Sequence, residues 1–99
     1  MPRHSEVTDK QMLDAALSLA LRHGYERVTR EQIAERLGCS AALVNVRFGT
    51  MTRFRRDLMR YAVQVGEAVV IGQGLARRDS HAMKASKELK ERAALLLAR

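Results

Sequence analysis

The same helix-starting signal occurs twice in the first third of the chain. Thr8-Asp9-Lys10-Gln11 and Thr29-Arg30-Glu31-Gln32 are both capping boxes. In each, the threonine hydroxyl can accept the backbone N–H of the glutamine, and the glutamine side chain can reach back. Glycine closes the segments that follow, at Gly24 and Gly38, where a left-handed residue ends a helix without a Cβ penalty. A chain punctuated in this way folds as short helices. With one proline and six glycines in 99 residues, the expected fold class is all-α.

Apolar spacing places the helices between these signals. The first is expected over about 9–23, with Met12, Leu13, Ala16, Leu17, Leu19 and Ala20 inward. The second runs from the Thr29 cap to Leu37, burying Ile33, Ala34 and Leu37. Ser40 caps a third that carries Leu43, Val44 and Phe48. Thr50 or Thr52 opens a fourth, longer helix with Phe54, Leu58, Tyr61, Ala62 and Val65 in register. It can continue to about Ala76, with Gly66, Gly72 and Gly74 favouring a bend in its second half. Residues 77–85 read as a polar connector, and Ser86 caps a short last helix.

The spacing inside Gln32–Phe48 is more specific. Ala34 is followed by Gly38 and then Val44. A small residue permits two helices to cross closely, glycine supplies the positive φ of a tight turn, and a valine anchors the next helix from below. Ile33, Leu37 and Leu43 fill the seam. This is the spacing of a helix-turn-helix, whose second helix enters the major groove of DNA. Residues 1–50 are therefore expected to form a helix-turn-helix DNA-binding domain, made of three helices. Residues 51–99 are expected to form a helical extension: a long fourth helix and a short C-terminal one.

Charge agrees with that partner. Lys and Arg number 18 against 11 Asp and Glu, a formal charge of +7, which favours an anionic partner. The densest basic block is Arg47, Arg53, Arg55, Arg56 and Arg60, countered only by Asp57.

The stretch from Leu13 to Val63 resembles the N-terminal DNA-binding domain of TetR-type transcriptional regulators. The similar elements are a first helix ending in His23-Gly24-Tyr25, then Val28-Thr29, then Ile33-Ala34-Glu35-Arg36-Leu37-Gly38-Cys39-Ser40, and the Phe48-Gly49-Thr50 step into a fourth helix. Departures from the family pattern are local. Leu43-Val44-Asn45 stands where the family has Thr-Leu-Tyr, Arg47-Phe48 where it often has His-Phe, and Met51 where a phosphate-gripping Lys is common. The resemblance implies double-stranded DNA as partner and a regulator that acts as a homodimer, with repression through promoter occupancy as its expected mode. About 35 residues follow the matched region, so no small-molecule effector is expected, and a phage, prophage or plasmid regulator is the expected context.

The candidate DNA-binding residues follow from these placements. Ser40, Ala41, Ala42, Asn45 and Arg47 are expected on or near the exposed face of the third helix. Asn45 can pair with adenine, Arg47 with guanine or phosphate, and the alanines can touch a thymine methyl. Ser40 can also act as a cap alone. Thr29 and Arg30 start the second helix, where free N–H groups favour phosphate. Thr50, Thr52 and Arg53 start the fourth, where Thr52 or Arg53 can replace the missing Lys. Arg3 and His4 can form a minor-groove arm. Val63, Val69, Val70, Ile71, Leu89, Leu96 and Leu97 exceed what three small helices need, and are assigned to a dimer interface; folding back within the chain is the alternative.

Other chemistry lacks its residues. His4, His23 and His81 have no metal-ligand spacing, and Cys39 is the single cysteine, so no metal and no cofactor are expected. Gly72-Gln73-Gly74 follows no strand and lacks the lysine of a phosphate loop. No nucleophile–base set stands out, so the chain reads as a non-enzyme. With no apolar run near 18 residues and no signal peptide, a cytoplasmic location off the membrane is expected. The alternatives are a small helical module that binds another regulator, and a DNA-binding protein without sequence preference.

Overall fold

A computed structural model describes residues 7–97. It contains seven α-helices among these residues: α1 (Asp9–His23), α2 (Arg30–Leu37), α3 (Ala41–Phe48), α4 (Met51–Val65), α5 (Ala68–Ala76), α6 (Ser80–Met83) and α7 (Lys87–Leu97). One 3-10 turn, Tyr25–Arg27, links α1 to α2, and the described residues hold no strand. The fold is all-α. Arg3 and His4 lie outside the described residues.

Local chemistry sets the early boundaries. Both capping boxes form, at Thr8–Gln11 and at Thr29–Gln32. Ser40 caps α3 through the N–H of Leu43 at 3.2 Å, and Thr50 caps α4 through the N–H of Arg53 at 3.2 Å. Gly38 closes α2 with φ 69° and ψ 33°, a left-handed conformation that costs other residues roughly 1–2 kcal/mol. Its N–H and that of Cys39 both return to the Ala34 carbonyl, and this tight turn aims α3 across α2.

The core is one connected cluster running from Val7 to Ala93, on both sides of position 50. Helix α4 supplies its central stripe: Phe54, Leu58, Met59 and Ala62 are fully buried. Met12, Ala16 and Ala20 of α1, Ile33 of α2 and Val44 of α3 pack into the same cluster. Phe48 meets Phe54 edge to face, with centroids 4.7 Å apart, and this contact seats the end of α3 on α4.

The fourth helix stops earlier than its apolar spacing allows. Gly66 adopts φ 73° and ψ 34° and ends α4 at Val65; the remaining apolar residues form the separate helix α5. Burial decides the direction of the new helix. Val70 and Ile71 are fully buried in the chain's own core. This corrects their assignment to a dimer surface: the break at Gly66 turns α5 back onto the molecule, and intramolecular burial claims both side chains. Val63 and Leu89 are half-buried against the same core. Val69 keeps 37% of its surface exposed and Leu96 is half-buried, while the side chain of Leu97 lies outside the described residues.

Gly72-Gln73-Gly74 proves to be a packing element. Gln73 clamps α5 to the end of α1: its Oε1 accepts the N–H of Tyr25 at 2.8 Å and its Nε2 donates to the Ala20 carbonyl at 2.9 Å. The expected connector over 77–85 contains α6, capped by the Asp79 carboxylate through the N–H groups of His81 and Ala82. Ser86 caps α7 through the N–H of Leu89 at 3.2 Å.

Gly74 permits α5, α4 and α6 to approach. A Cβ there would stand 2.6 Å from Met59 Cε and 2.7 Å from Ala82 Cβ. The methionine end can swing aside, but the alanine Cβ moves only with its backbone. Gly74→Ala should therefore destabilise the fold by about 1–2 kcal/mol, overpacking outweighing the roughly 1 kcal/mol gain in helix propensity. Urea unfolding measures the loss, and Ala82→Gly in the same chain should restore part of it.

Candidate nucleic-acid interface

Helix α3 is seated by Val44, which is 1% exposed, with Leu43 and Phe48 half-buried beside it. At 3.6 residues per turn, Ala42 and Val46 stand within about 20° of the direction opposite Val44, and Asn45 about 80° to one side of it. Accessibility agrees: Ala42, Asn45 and Val46 are exposed, and Ala41 is half-buried. Val46 is 78% exposed. It was not among the residues picked from sequence, although its place one turn after Ala42 marks it for the same face.

Arg47 stands apart from that face. It lies only about 60° from Val44 on the helix, and its Nη1 donates to the Asp9 carboxylate of α1 at 2.9 Å. Arg47, expected on or near the exposed face to grip guanine or phosphate, is exposed, with its guanidinium turned toward the acid at the start of α1. The pair is partly open to solvent, with the arginine side chain 30% exposed. It orients α3 more than it stabilises the fold, since pairs of this kind contribute roughly 0–1 kcal/mol.

The two helices that pack against α3, α2 and α4, each begin with a threonine cap and an arginine in the first turn. Thr29 caps α2 and is followed by Arg30, half-buried. Thr50 caps α4 and is followed by the exposed Thr52 and Arg53. The Arg53 side chain lies over the α3–α4 turn, its Cδ 3.5 Å from the position a Cβ on Gly49 would take. Ser40, Thr29 and Thr50 use their hydroxyls as acceptors within their own caps. Free N–H groups at such ends favour anionic groups.

The basic block disperses once folded. Arg55 Nη2 donates to the Val28 carbonyl at 3.2 Å, Arg60 pairs with Asp57 at 2.9 Å, and Arg47 pairs with Asp9. Arg30, Arg53 and Arg56 form no ion pair among the described residues. Arg55 Nε is buried with no hydrogen-bond partner, beside a shallow cleft lined by Thr52, Arg56, Tyr25 and Glu26. Cys39, half-buried, packs against the core. Among the described residues no three His, Cys, Asp or Glu side chains gather as a metal site would require. No helix there is long and apolar enough to cross a membrane.

Residues 12–56 match the family model of the bacterial regulatory proteins of the tetR family. These residues form a TetR-type helix-turn-helix DNA-binding domain. Its second and third helices are α2 and α3. The match supports a DNA-binding transcriptional regulator. Comparison with curated proteins and with solved structures finds no match. The family match carries no information on a phage or mobile-element origin.

One ionic network ties this TetR-type domain to α4. The Asp14 carboxylate accepts from Lys10 Nζ at 2.8 Å and from the Tyr61 hydroxyl. The lysine hydrogen bond first, and the tyrosine second, hold the Asp14 carboxyl below its ordinary value of 3.8. The same hydrogen bond raises the Tyr61 hydroxyl above 10.0. A lowered carboxyl contributes stability that is present above 3.8 and is lost as pH falls through the folded value. The melting-temperature gap between the wild type and Asp14→Asn should be largest near neutral pH and close as pH falls below 3.8. It should be small throughout, because solvent screens the pair.

Proposed function

We propose that the chain is a sequence-specific regulator of transcription that binds double-stranded DNA as a homodimer and represses by occupying a promoter. The observation that carries this reading is the shape of one surface. A seated helix presents Ala42, Asn45 and Val46 outward, and the two helices packed against it, α2 and α4, begin with capped turns that carry Arg30 and Arg53. Phosphate neutralisation supplies most of the affinity, and base edges supply the choice of sequence.

Each candidate residue then has a role. Thr29, Arg30, Thr50, Thr52 and Arg53 hold phosphates on either side of the groove. Ser40 caps α3 and adds a backbone contact. Ala41 and Ala42 permit close approach, and Asn45 pairs with adenine through its carboxamide. Arg47, held by Asp9, orients α3 and contributes charge.

Residues 1–50 carry the DNA-binding role and residues 51–99 the pairing of two copies. A pair matches two half-sites about one helical turn apart on the duplex. The pairing surface draws on Val69 and Leu96 with the edges of Val63 and Leu89, and Val65 at 53% and Leu95 at 72% exposure extend it.

Selection from a random duplex library at near-physiological salt tests the reading. An enriched palindrome with a dimeric mass in sedimentation is the expected outcome. Salt-sensitive retention without enrichment would leave DNA binding without sequence preference, and no retention would point to a protein partner. On the selected duplex, Asn45→Ala should lose roughly 1–3 kcal/mol and relax one base position. Arg30→Ala and Arg53→Ala should weaken all sequences alike and each lower the salt slope by about one. Arg47→Ala should leave the selected sequence unchanged.

A further inference from the structure

The outward face of α3 carries methyl groups and one carboxamide, and no cation. Val46 is the most exposed large apolar side chain among the described residues, at 78%. It stands opposite Val44, one turn beyond Ala42, with Asn45 beside it. The only cationic side chain of α3, Arg47, is drawn to Asp9 on the other side of the helix. Arg30 and Arg53 sit in the first turns of α2 and α4, where the proposed function assigns them to phosphate.

Base chemistry turns that arrangement into a preference. Guanine shows two acceptors in the major groove, and its usual reader is an arginine or lysine. The outward face of α3 has neither. Adenine shows an acceptor and a donor that suit a carboxamide, and thymine shows a C5-methyl group that suits an apolar side chain. Valine also holds essentially one χ1 rotamer in a helix, so little freedom is lost when it meets a base. Nothing inside the fold needs this side chain, and the +7 chain brings the anionic duplex to it.

We propose that Val46 is a specificity-determining residue that reads the C5-methyl of a thymine, in an A·T pair next to the adenine held by Asn45. The inference rests on the role of α3 set out under the proposed function. The half-site accordingly centres on A·T pairs, with guanine excluded from the step under Val46.

The test uses the full chain and the random-duplex selection, run once with thymine and once with deoxyuridine in its place. The wild type should enrich an A·T step in the thymine library and lose the preference at one position in the deoxyuridine library. On the selected duplex, replacing that thymine by deoxyuridine should weaken wild-type binding about fourfold, the effect of one buried methyl. Val46→Ala should weaken binding by a similar factor and be indifferent to the methyl. Its unfolding midpoint should not fall below the wild-type value, because the side chain is exposed and alanine is the better helix former. An enriched motif that is the same in both libraries overturns the proposal and leaves the DNA reading intact. So does a motif with guanine at the position that Val46→Ala alters. Binding without any enriched motif overturns sequence reading itself, and this proposal with it.

Discussion

Burial of the α4 stripe is the constraint on which the rest depends. Phe54, Leu58, Met59 and Ala62 have no exposed surface, and the helix contacts α1, α3, α5, α6 and the 3-10 turn. Burying each of Phe54, Leu58 and Met59 contributes roughly 1.5–3 kcal/mol. Without α4, Phe48 would lose the ring it packs against and α3 would lose one of the two helices that fix its tilt. The proposed DNA-facing surface is thus an outcome of packing on its far side. A helix of eight residues has too few hydrogen bonds to persist alone, so α3 owes its form to that support.

Polar links refine what the core begins. The Gln73 carboxamide serves both the Tyr25 N–H and the Ala20 carbonyl, at the point where α1 ends and the chain turns toward α2. Asp14 ties α1 to α4 through Tyr61, and Asp9 ties α1 to α3 through Arg47. All three links converge on α1. That helix makes no outward contribution to the proposed reading face, yet it sets the angle at which the face is shown.

Much of this was legible in the sequence, for a local reason. Caps act within four residues, so Thr8, Thr29 and Ser40 announced the starts of α1 to α3, the start of α4 was narrowed to Thr50 or Thr52, and Gly38 announced the turn. The helix-turn-helix spacing was legible because the close crossing of α2 and α3 demands small and apolar residues at set positions. The later chain was less legible. Residues 77–85 are mostly polar, yet Asp79 caps a one-turn helix whose Ala82 packs against Gly74. Arg78 ends the preceding turn at φ 56°, a conformation that sequence patterns assign to glycine. No helix-length periodicity marks so short an element.

The sequence by itself determined the all-α class, the capped starts of the first three helices, the turn at Gly38 and the TetR-type domain, because each depends on residues close in the chain. Tertiary structure decided the direction of α5 and the allegiance of individual side chains. Val70 and Ile71 went inward because the Gly66 break folds α5 onto α4. The Arg47 guanidinium turned to α1 because Asp9 stands beside it, and Val46 stayed in solvent because, among the described residues, little packs over that side of α3. An apolar residue is equally apolar in a core and on a reading face, and only the positions of its neighbours tell the two apart.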